Sequence, residues 1–284
     1  VPVTRVLNRQ RILLELASQA GGAFTLRRLT LLAFVVAHET RDRGGESFYS
    51  FVPHRNGPVS FTLNHEVGKL ADKDLIQLKD EEGTLEPSGR VFLRKGPQQP
   101  EDVTQAARLL SGISTEALAT RITRRHPQYM RRSAPEVRKG SLVLYTKGYE
   151  GQSVEHFLRD LLEAGIRSII DVRRVPVSRR FGFHKSTLRR LAEEVGLSYH
   201  HFPAVGIPSS ERKNVKTKAD YDALLGWYES SILPRESRVV DSIAELALQE
   251  PSVLVCSERD ARLCHRSRLA AAVSSTNGLK VLHA

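Results

Sequence analysis

The chemistry of this chain is concentrated near its C-terminus, in Cys256, Glu258, Cys264, His265 and Arg266. Both cysteines, a carboxylate, an imidazole and a guanidinium fall within one short stretch. Glu258 is the best candidate for acid–base work: it could activate water or stabilise a cationic, sugar-like transition state. His265 could orient it or bind a phosphate, and Arg266 and Arg268 supply charge. Cys256 leaves several chemistries open. Arg262, six positions on, meets the spacing of a phosphatase loop, but Glu258 and Asp260 would repel phosphate and the glycines are missing. A zinc site from Cys256, Cys264 and His265 fits poorly, because the last two are adjacent. No metal ligand and no cofactor is therefore assigned. Free cysteines often simply pack a core. At a helix N-terminus, Cys264 would be a reactive thiol if exposed.

Asp171 is the second catalytic candidate. It ends an apolar run, Ser168-Ile169-Ile170-Asp171-Val172, and serves either catalysis or an ion pair with Arg173. Arg173, Arg174, Arg179 and Arg180 crowd the next loop with Ser178, which suits planar, bidentate phosphate binding. Phe181 and Phe183 there could stack on a base or seal the core. In Lys147-Gly148-Tyr149-Glu150-Gly151 the glycines permit close approach of backbone to a ligand. Their spacing is that of neither a dinucleotide fingerprint nor a P-loop. Glu150 is either catalytic or a helix cap. The expected catalytic set is thus Glu258, Asp171, Cys256 and His265. The expected substrate contacts are Gly148, Tyr149, Glu150, Arg173, Ser178, Arg179, Phe183, Tyr199, Cys264 and Arg266.

These residues need elements to position them. From 140 to 284 strand and helix patterns alternate. Leu142–Tyr145, Ser168–Val172, Leu197–Phe202, the 253–256 run and Leu279–Leu282 read as strands. Helices are expected from Val154 to Gly165, around Leu188–Val195, near 219–233 and 237–249, and over 264–274. Such alternation predicts a Rossmann-like α/β fold with a mainly parallel sheet and flanking helices. Ligands then bind outside the carboxyl ends of the strands, where helix N-termini attract anions.

Residues 1–95 read as a separate domain. Three short helices follow Ile12-Leu13-Leu16-Ala17, the Thr25 cap and the Ser60 cap, and a hairpin from Leu75 to Pro87 closes the unit. This describes a winged helix, whose third helix would offer Asn64, His65, Glu66 and Lys69 to a major groove, or which serves as a dimerisation or packing module. Residues 96–139 read as a helical basic connector, with Arg124, Arg125, Arg131, Arg132, Arg138 and Lys139 around Tyr129, which suits either phosphate contact with base stacking on Tyr129 or a solvated linker helix. Together with Arg174 and Arg180, Arg124, Arg125, Arg131 and Arg132 are the expected nucleic-acid contacts.

The whole chain has 43 Lys+Arg against 32 Asp+Glu, a net charge of +11, which fits a nucleic-acid partner as well as a solvated basic surface. Two cysteines cannot build a disulfide framework, and no run is long enough for a membrane span or a leader, so the cytoplasm is expected.

Two resemblances extend this reading. Phe48-Tyr49-Ser50-Phe51-Val52-Pro53-His54-Arg55-Asn56-Gly57-Pro58-Val59-Ser60 resembles the phenylalanine-proline-tyrosine … glycine-proline segment of phage-associated and antitoxin-linked winged-helix proteins. Tyr145–Gly151, Asp171-Val172-Arg173, Pro176-Val177-Ser178-Arg179, Phe183, Tyr199, Gly206, Cys256-Ser257-Glu258 and Cys264-His265-Arg266 together resemble the domain of unknown function 488 family over about 141–284. Lys147 departs from that pattern, standing where a small or apolar residue is expected. That family implies a fold and a site but no assigned reaction. Pairing with a winged helix implies a nucleic-acid substrate, DNA first. The leading expectation is a DNA-binding enzyme that excises or processes a base at its glycosidic bond, with Glu258 and Asp171 as acid and base. The alternatives are a non-catalytic DNA-binding regulator or nucleotide-sensing defence component, and a nuclease. The last lacks a clustered carboxylate pair for two metals.

Overall fold

The computed structural model describes residues 6–45, 48–97, 99–130, 142–213 and 215–283. The chain divides into two compact units, Val1–Arg132 and Ser133–Ala284.

The N-terminal unit runs α1 (Asn8–Gln19), β1 (Ala23–Thr25), α2 (Leu26–Glu39), α3 (Phe61–Ala71), β2 (Ile76–Lys79), β3 (Glu82–Leu85), α4 (Pro87–Lys95), α5 (Glu101–Ser111) and α6 (Thr115–Arg125). The side chains of Thr25, Ser60 and Ser114 accept the backbone N–H of Arg28, Leu63 and Ala117, satisfying orphan donors of three helix starts. The expected hairpin β2–β3 forms, but β1 joins it to give an antiparallel sheet of order β1-β3-β2. Three residues are too few to show a strand period. What holds β1 is tertiary: the Phe24 ring lies over Gly83, which has no side chain there.

Helix α4 was also not anticipated. Pro87 looks like a strand terminator, yet it occupies the first turn of a helix, where a missing N–H costs nothing. The stretch read as a connector is not a loose tether. Val103, Ala107 and Leu110 of α5 and Leu118 and Ile122 of α6 enter the same core as Ile12, Leu32 and Phe34. An apolar stripe on a helix requires such a partner. The basic run is partly absorbed as well. Arg121 and Arg125 both pair with Glu39, at 2.5 and 2.7 Å. Tyr129, expected to stack on a base, is buried, edge-on to Phe34, with its hydroxyl 3.0 Å from His38 Nε2. Arg124 is exposed. Arg131, Arg132, Arg138 and Lys139 lie outside the described residues.

The C-terminal unit runs β4 (Val143–Gly148), α7 (Val154–Glu163), β5 (Ser168–Asp171), α8 (Lys185–Glu194), β6 (Ser198–His201), α9 (Lys218–Trp227), α10 (Leu233–Arg235), α11 (Ser237–Ala247), β7 (Ser252–Cys256), α12 (His265–Asn277) and β8 (Lys280–His283). A π-helical turn, Tyr228–Ile232, joins α9 to α10 directly after Trp227, the chain's single tryptophan. The five strands form one parallel sheet of order β6-β5-β7-β4-β8, flanked by helices, as a Rossmann-like α/β fold requires. Leu144, Ile170 and Leu254 point to the face that packs with Ile243 and Ala244 of α11 and Leu269 and Val273 of α12. Every residue of β5 and β7 is buried. Lys147, the departure noted above, is buried too and pairs with Asp160 of α7 at 3.0 Å. Register pairs Gly148 with Cys256 and Asp171 with Val255, so three strand ends meet at one edge. Among the described residues no helix is long and apolar enough to cross a membrane.

Candidate active site

Strand β7 delivers Cys256 to the carboxyl edge of the sheet, and the chain then turns through Ser257–Leu263 into α12. Cys264 is extended (φ −133°, ψ 136°) and His265 is the first helical residue. This break in backbone geometry lets two adjacent side chains converge. Cys264 Sγ lies 3.8 Å and Cys256 Sγ 3.9 Å from His265 Nδ1. Both sulfurs also approach one carboxylate oxygen, Glu258 Oε2, at 2.9 Å from Cys256 and 3.1 Å from Cys264. The other oxygen, Oε1, pairs with the Arg212 guanidinium. Arg212 Nη2 is 3.3 Å from His265 Nδ1, and His265 Nε2 is 3.1 Å from the Val172 carbonyl. The Tyr228 ring meets the His265 ring edge-on at 5.3 Å.

The 257–259 turn is held from two sides. Arg266, 1% exposed, donates from Nη1 to the Glu258 carbonyl (2.6 Å) and from Nη2 to that of Arg259 (2.9 Å). From the β4 side, Tyr149 N donates to Cys256 O and Glu150 N to Ser257 O. The Glu150 carboxylate accepts the Arg259 N–H at 3.1 Å. Gly148 makes this approach possible: a Cβ there would overlap the Glu258 carbonyl. Gly148, Glu150 and Arg266 therefore position Glu258, whereas the sequence reading had them as substrate contacts.

Electrostatics divide the cluster unevenly. Burial opposes ionisation of Glu258, but Arg212 and the two thiol hydrogen bonds outweigh it and hold its carboxyl well below the usual range. Cys256 is drawn down, first by its hydrogen bond with Cys264 and then by His265, against the cost of burial. Cys264 is pushed up by burial and by its neighbour's charge.

Asp171 is different. It is fully buried, and Arg173 grips both its oxygens, Nε to Oδ1 at 2.8 Å and Nη2 to Oδ2 at 2.5 Å. The Arg173 N–H and the Tyr199 hydroxyl donate to it as well, at 3.1 and 2.6 Å. Arg173 Nη1 donates to Tyr149 Oη and to the Phe183 carbonyl. With no surface and no spare acceptor, Asp171 is not placed to move a substrate proton: of the two roles open in the sequence, it takes the ion pair. Tyr199 belongs to that pair. Phe183 is fully buried, stacked on Tyr149 at 4.2 Å, so it seals the core.

Above Cys256 opens a recess of about 220 Å³, lined by Tyr149, Arg173, Arg174, Ile207, Arg212 and Ser257 among others. Arg174 is exposed there and reaches the Pro203 carbonyl at 3.3 Å. Further along the loop, Ser178 accepts the Arg180 N–H, and Arg180 donates to Gln152 O. Arg179 is exposed. Neither Arg179 nor Arg180 lines this recess. Arg262 is 88% exposed and paired with Asp260, which leaves the phosphatase spacing without its geometry. Sequence reasoning missed Arg212. Its signal was weak, a charged triplet Glu211-Arg212-Lys213 in the loop after β6, with its partner Glu258 far along the chain.

No curated protein and no solved structure gives a significant match to the chain. One family does: residues 153–273 match the model described as "Domain of unknown function DUF488", and the C-terminal unit is similar to that family across a span that holds Asp171, Arg212, Cys256, Glu258, Cys264 and His265.

Proposed function

We propose that this protein is a DNA-binding enzyme that processes a base at its N-glycosidic bond, with Glu258 as the catalytic carboxylate. The observation that carries the reading is Glu258 itself. Arg212 and the thiols hold its carboxyl below the usual range, its side chain is 20% exposed, and its ion-pair partner Arg212 lines a recess together with Arg173, Arg174, Cys256 and Ser257. A fixed carboxylate of this kind suits the stabilisation of an oxocarbenium-like sugar and the orientation of the attacking water. Asp171 takes no proton in this scheme; it locks Arg173 and the loop that carries Arg174. At about 220 Å³ the recess is below the size of a whole-ligand site, so it suits one ring extracted from a strand.

The N-terminal unit supports the nucleic-acid reading by its element order. Three helices, α1 to α3, precede the β2–β3 hairpin, as in a winged helix. On α3, His65 and Lys69 face outward, while Glu66 is buried against Arg9 and the Tyr49 hydroxyl. The outward face is thus less acidic than the sequence alone implies.

Incubation with modified and unmodified DNA, followed by mass spectrometry of free bases, tests the proposal. Base release that disappears in Glu258→Gln is expected; no release from any DNA overturns it. A second reading, a non-catalytic DNA-binding regulator or sensor, is favoured by one observation: Arg173 and Arg266 direct their guanidinium donors at the protein itself.

A further inference from the structure

Four groups that ligate metals converge on one point behind the recess. Two sulfurs, an imidazole nitrogen and a carboxylate oxygen come from Cys256, Cys264, His265 and Glu258. The ligand atoms of the first three lie within 4.8 Å of one another, and all three residues are about 1% exposed. We infer that Cys256, Cys264 and His265 form a binding site for a thiophilic divalent cation of the zinc class, with Glu258 beside its fourth position.

Distances support this. Tetrahedral zinc with Zn–S near 2.3 Å and Zn–N near 2.0 Å sets ligand sulfur and nitrogen about 3.6 Å apart. The two sulfurs stand 3.9 and 3.8 Å from His265 Nδ1. Contraction by a few tenths of an ångström brings each sulfur to that separation from the imidazole, and all three ligand atoms already lie within 4.8 Å of one another.

Orientation supports it too. A metal-binding histidine commonly donates its other ring N–H to a carbonyl or carboxylate, which fixes the tautomer. His265 Nε2 sits 3.1 Å from the Val172 carbonyl, an oxygen that can only accept, so Nε2 carries the proton and Nδ1 presents its lone pair to the sulfurs. Arg212 Nη2, 3.3 Å from Nδ1, must give up that contact when a cation enters, while Nη1 keeps Glu258.

Charge gives the third argument. Two thiols and a carboxylate around one imidazole are a poor hydrogen-bonding set, because S–H is a weak donor and two of them converge on the same oxygen. A divalent cation removes that conflict by taking both sulfurs as thiolates. Arg212 balances the remaining negative charge at Glu258. The sequence spacing had argued against such a site because Cys264 and His265 are adjacent. The change from extended backbone at 264 to helix at 265 brings both side chains to one side.

Glu258 Oε2 stands at the fourth position, 2.9 and 3.1 Å from the two sulfurs, and its side chain is 20% exposed where the other three are buried, so that position is the one that can be exchanged, as in a catalytic rather than a closed structural site. The fourth position takes a water or an anionic oxygen of the substrate. That last assignment rests on the function proposed above; the metal site itself does not, so the two fail separately.

The test uses the full-length protein. Elemental analysis of protein isolated without chelator should show about one zinc-class ion per chain. After removal of metal under reducing conditions, titration with Co²⁺ alone should produce intense visible bands of tetrahedral cobalt and a thiolate-to-cobalt charge-transfer band in the near ultraviolet. Cys256→Ser and Cys264→Ser should each weaken the charge-transfer band and lower affinity at least about tenfold, and zinc should protect both thiols of the parent from alkylation. Should either variant fail to fold, the titration and the alkylation of the parent still decide. Folded, reduced parent protein that takes up no Co²⁺ or Zn²⁺ overturns the inference. So does binding with neither a charge-transfer band nor thiol protection, because the sulfurs then do not coordinate. Base release by protein that binds no metal would sink the metal site and leave the enzyme standing; metal uptake without base release would do the reverse.

Discussion

Asp171 and Glu258 are two carboxylates near one sheet edge, each paired with an arginine, and they differ in what is left over. Asp171 accepts from two atoms of the Arg173 side chain, from its N–H and from Tyr199, with no exposed surface. Glu258 has one oxygen on Arg212 and the other on two weak sulfur donors, and its side chain is 20% exposed. A carboxylate whose acceptors are filled by strong donors fixes a fold. One held by a single arginine and two thiols keeps capacity for a ligand. Sequence reasoning ranked both as catalytic because it sees residue type and position, and not the number of donors aimed at each oxygen.

The comparison breaks most readily at Asp171. Asp171→Asn leaves the buried Arg173 guanidinium without its counter-charge, and the expected loss is about 3–5 kcal/mol of folding stability by denaturant titration. A loss below about 1 kcal/mol would make Asp171 no more structural than Glu258. Glu258→Gln should cost about 1–2 kcal/mol, the scale of an impaired polar contact, while base release falls by a factor of roughly 10² or more. Equal destabilisation by the two changes would erase the distinction.

A carboxylate in the other unit sharpens it further. Burial opposes ionisation of Glu39, yet hydrogen bonds and charge from Arg121, Arg125 and His126 win and lower its pKa below the ordinary 4.5. A group whose pKa falls on folding contributes stability that is fully present above the unfolded value and fades as pH drops through the folded one. The stability gap between parent and Glu39→Gln should therefore be constant at neutral pH and shrink below about pH 4.5, as urea melts across pH would show. A gap that widens on acidification contradicts the sign. The smallest effect belongs to Arg174, which is exposed and lines the recess. Arg174→Ala should leave folding unchanged and reduce the slope of log affinity against log salt for DNA by about one. An unchanged slope would remove Arg174 from the contact surface.

Much of the C-terminal unit was legible. Its strands are short apolar runs and its helices carry apolar stripes ending at Gly165 and Gly196, so order and type followed from periodicity. Legible too was the clustering of Cys256, Glu258, Cys264 and His265, because a strand end and a helix start are close in sequence. The roles were not. Arg266 and Arg173 are the same residue type as Arg174, and burial alone separates them. Arg212 was invisible because its meaning depends on a partner brought to it by the sheet. Strand β1 is held by Phe24 against Gly83, and α4 starts on a proline that in isolation signals a stop; both depend on contacts that no local window contains.

The π-helical turn has a practical consequence. It begins at Tyr228, whose ring edges onto His265, and the residue immediately before it is the chain's only tryptophan, Trp227, which packs partly buried against the same core. The protein thus contains its own optical probe. Emission excited in the indole band reports on the C-terminal unit alone, one residue from the side chain that touches the site, and needs no label to follow events there in real time.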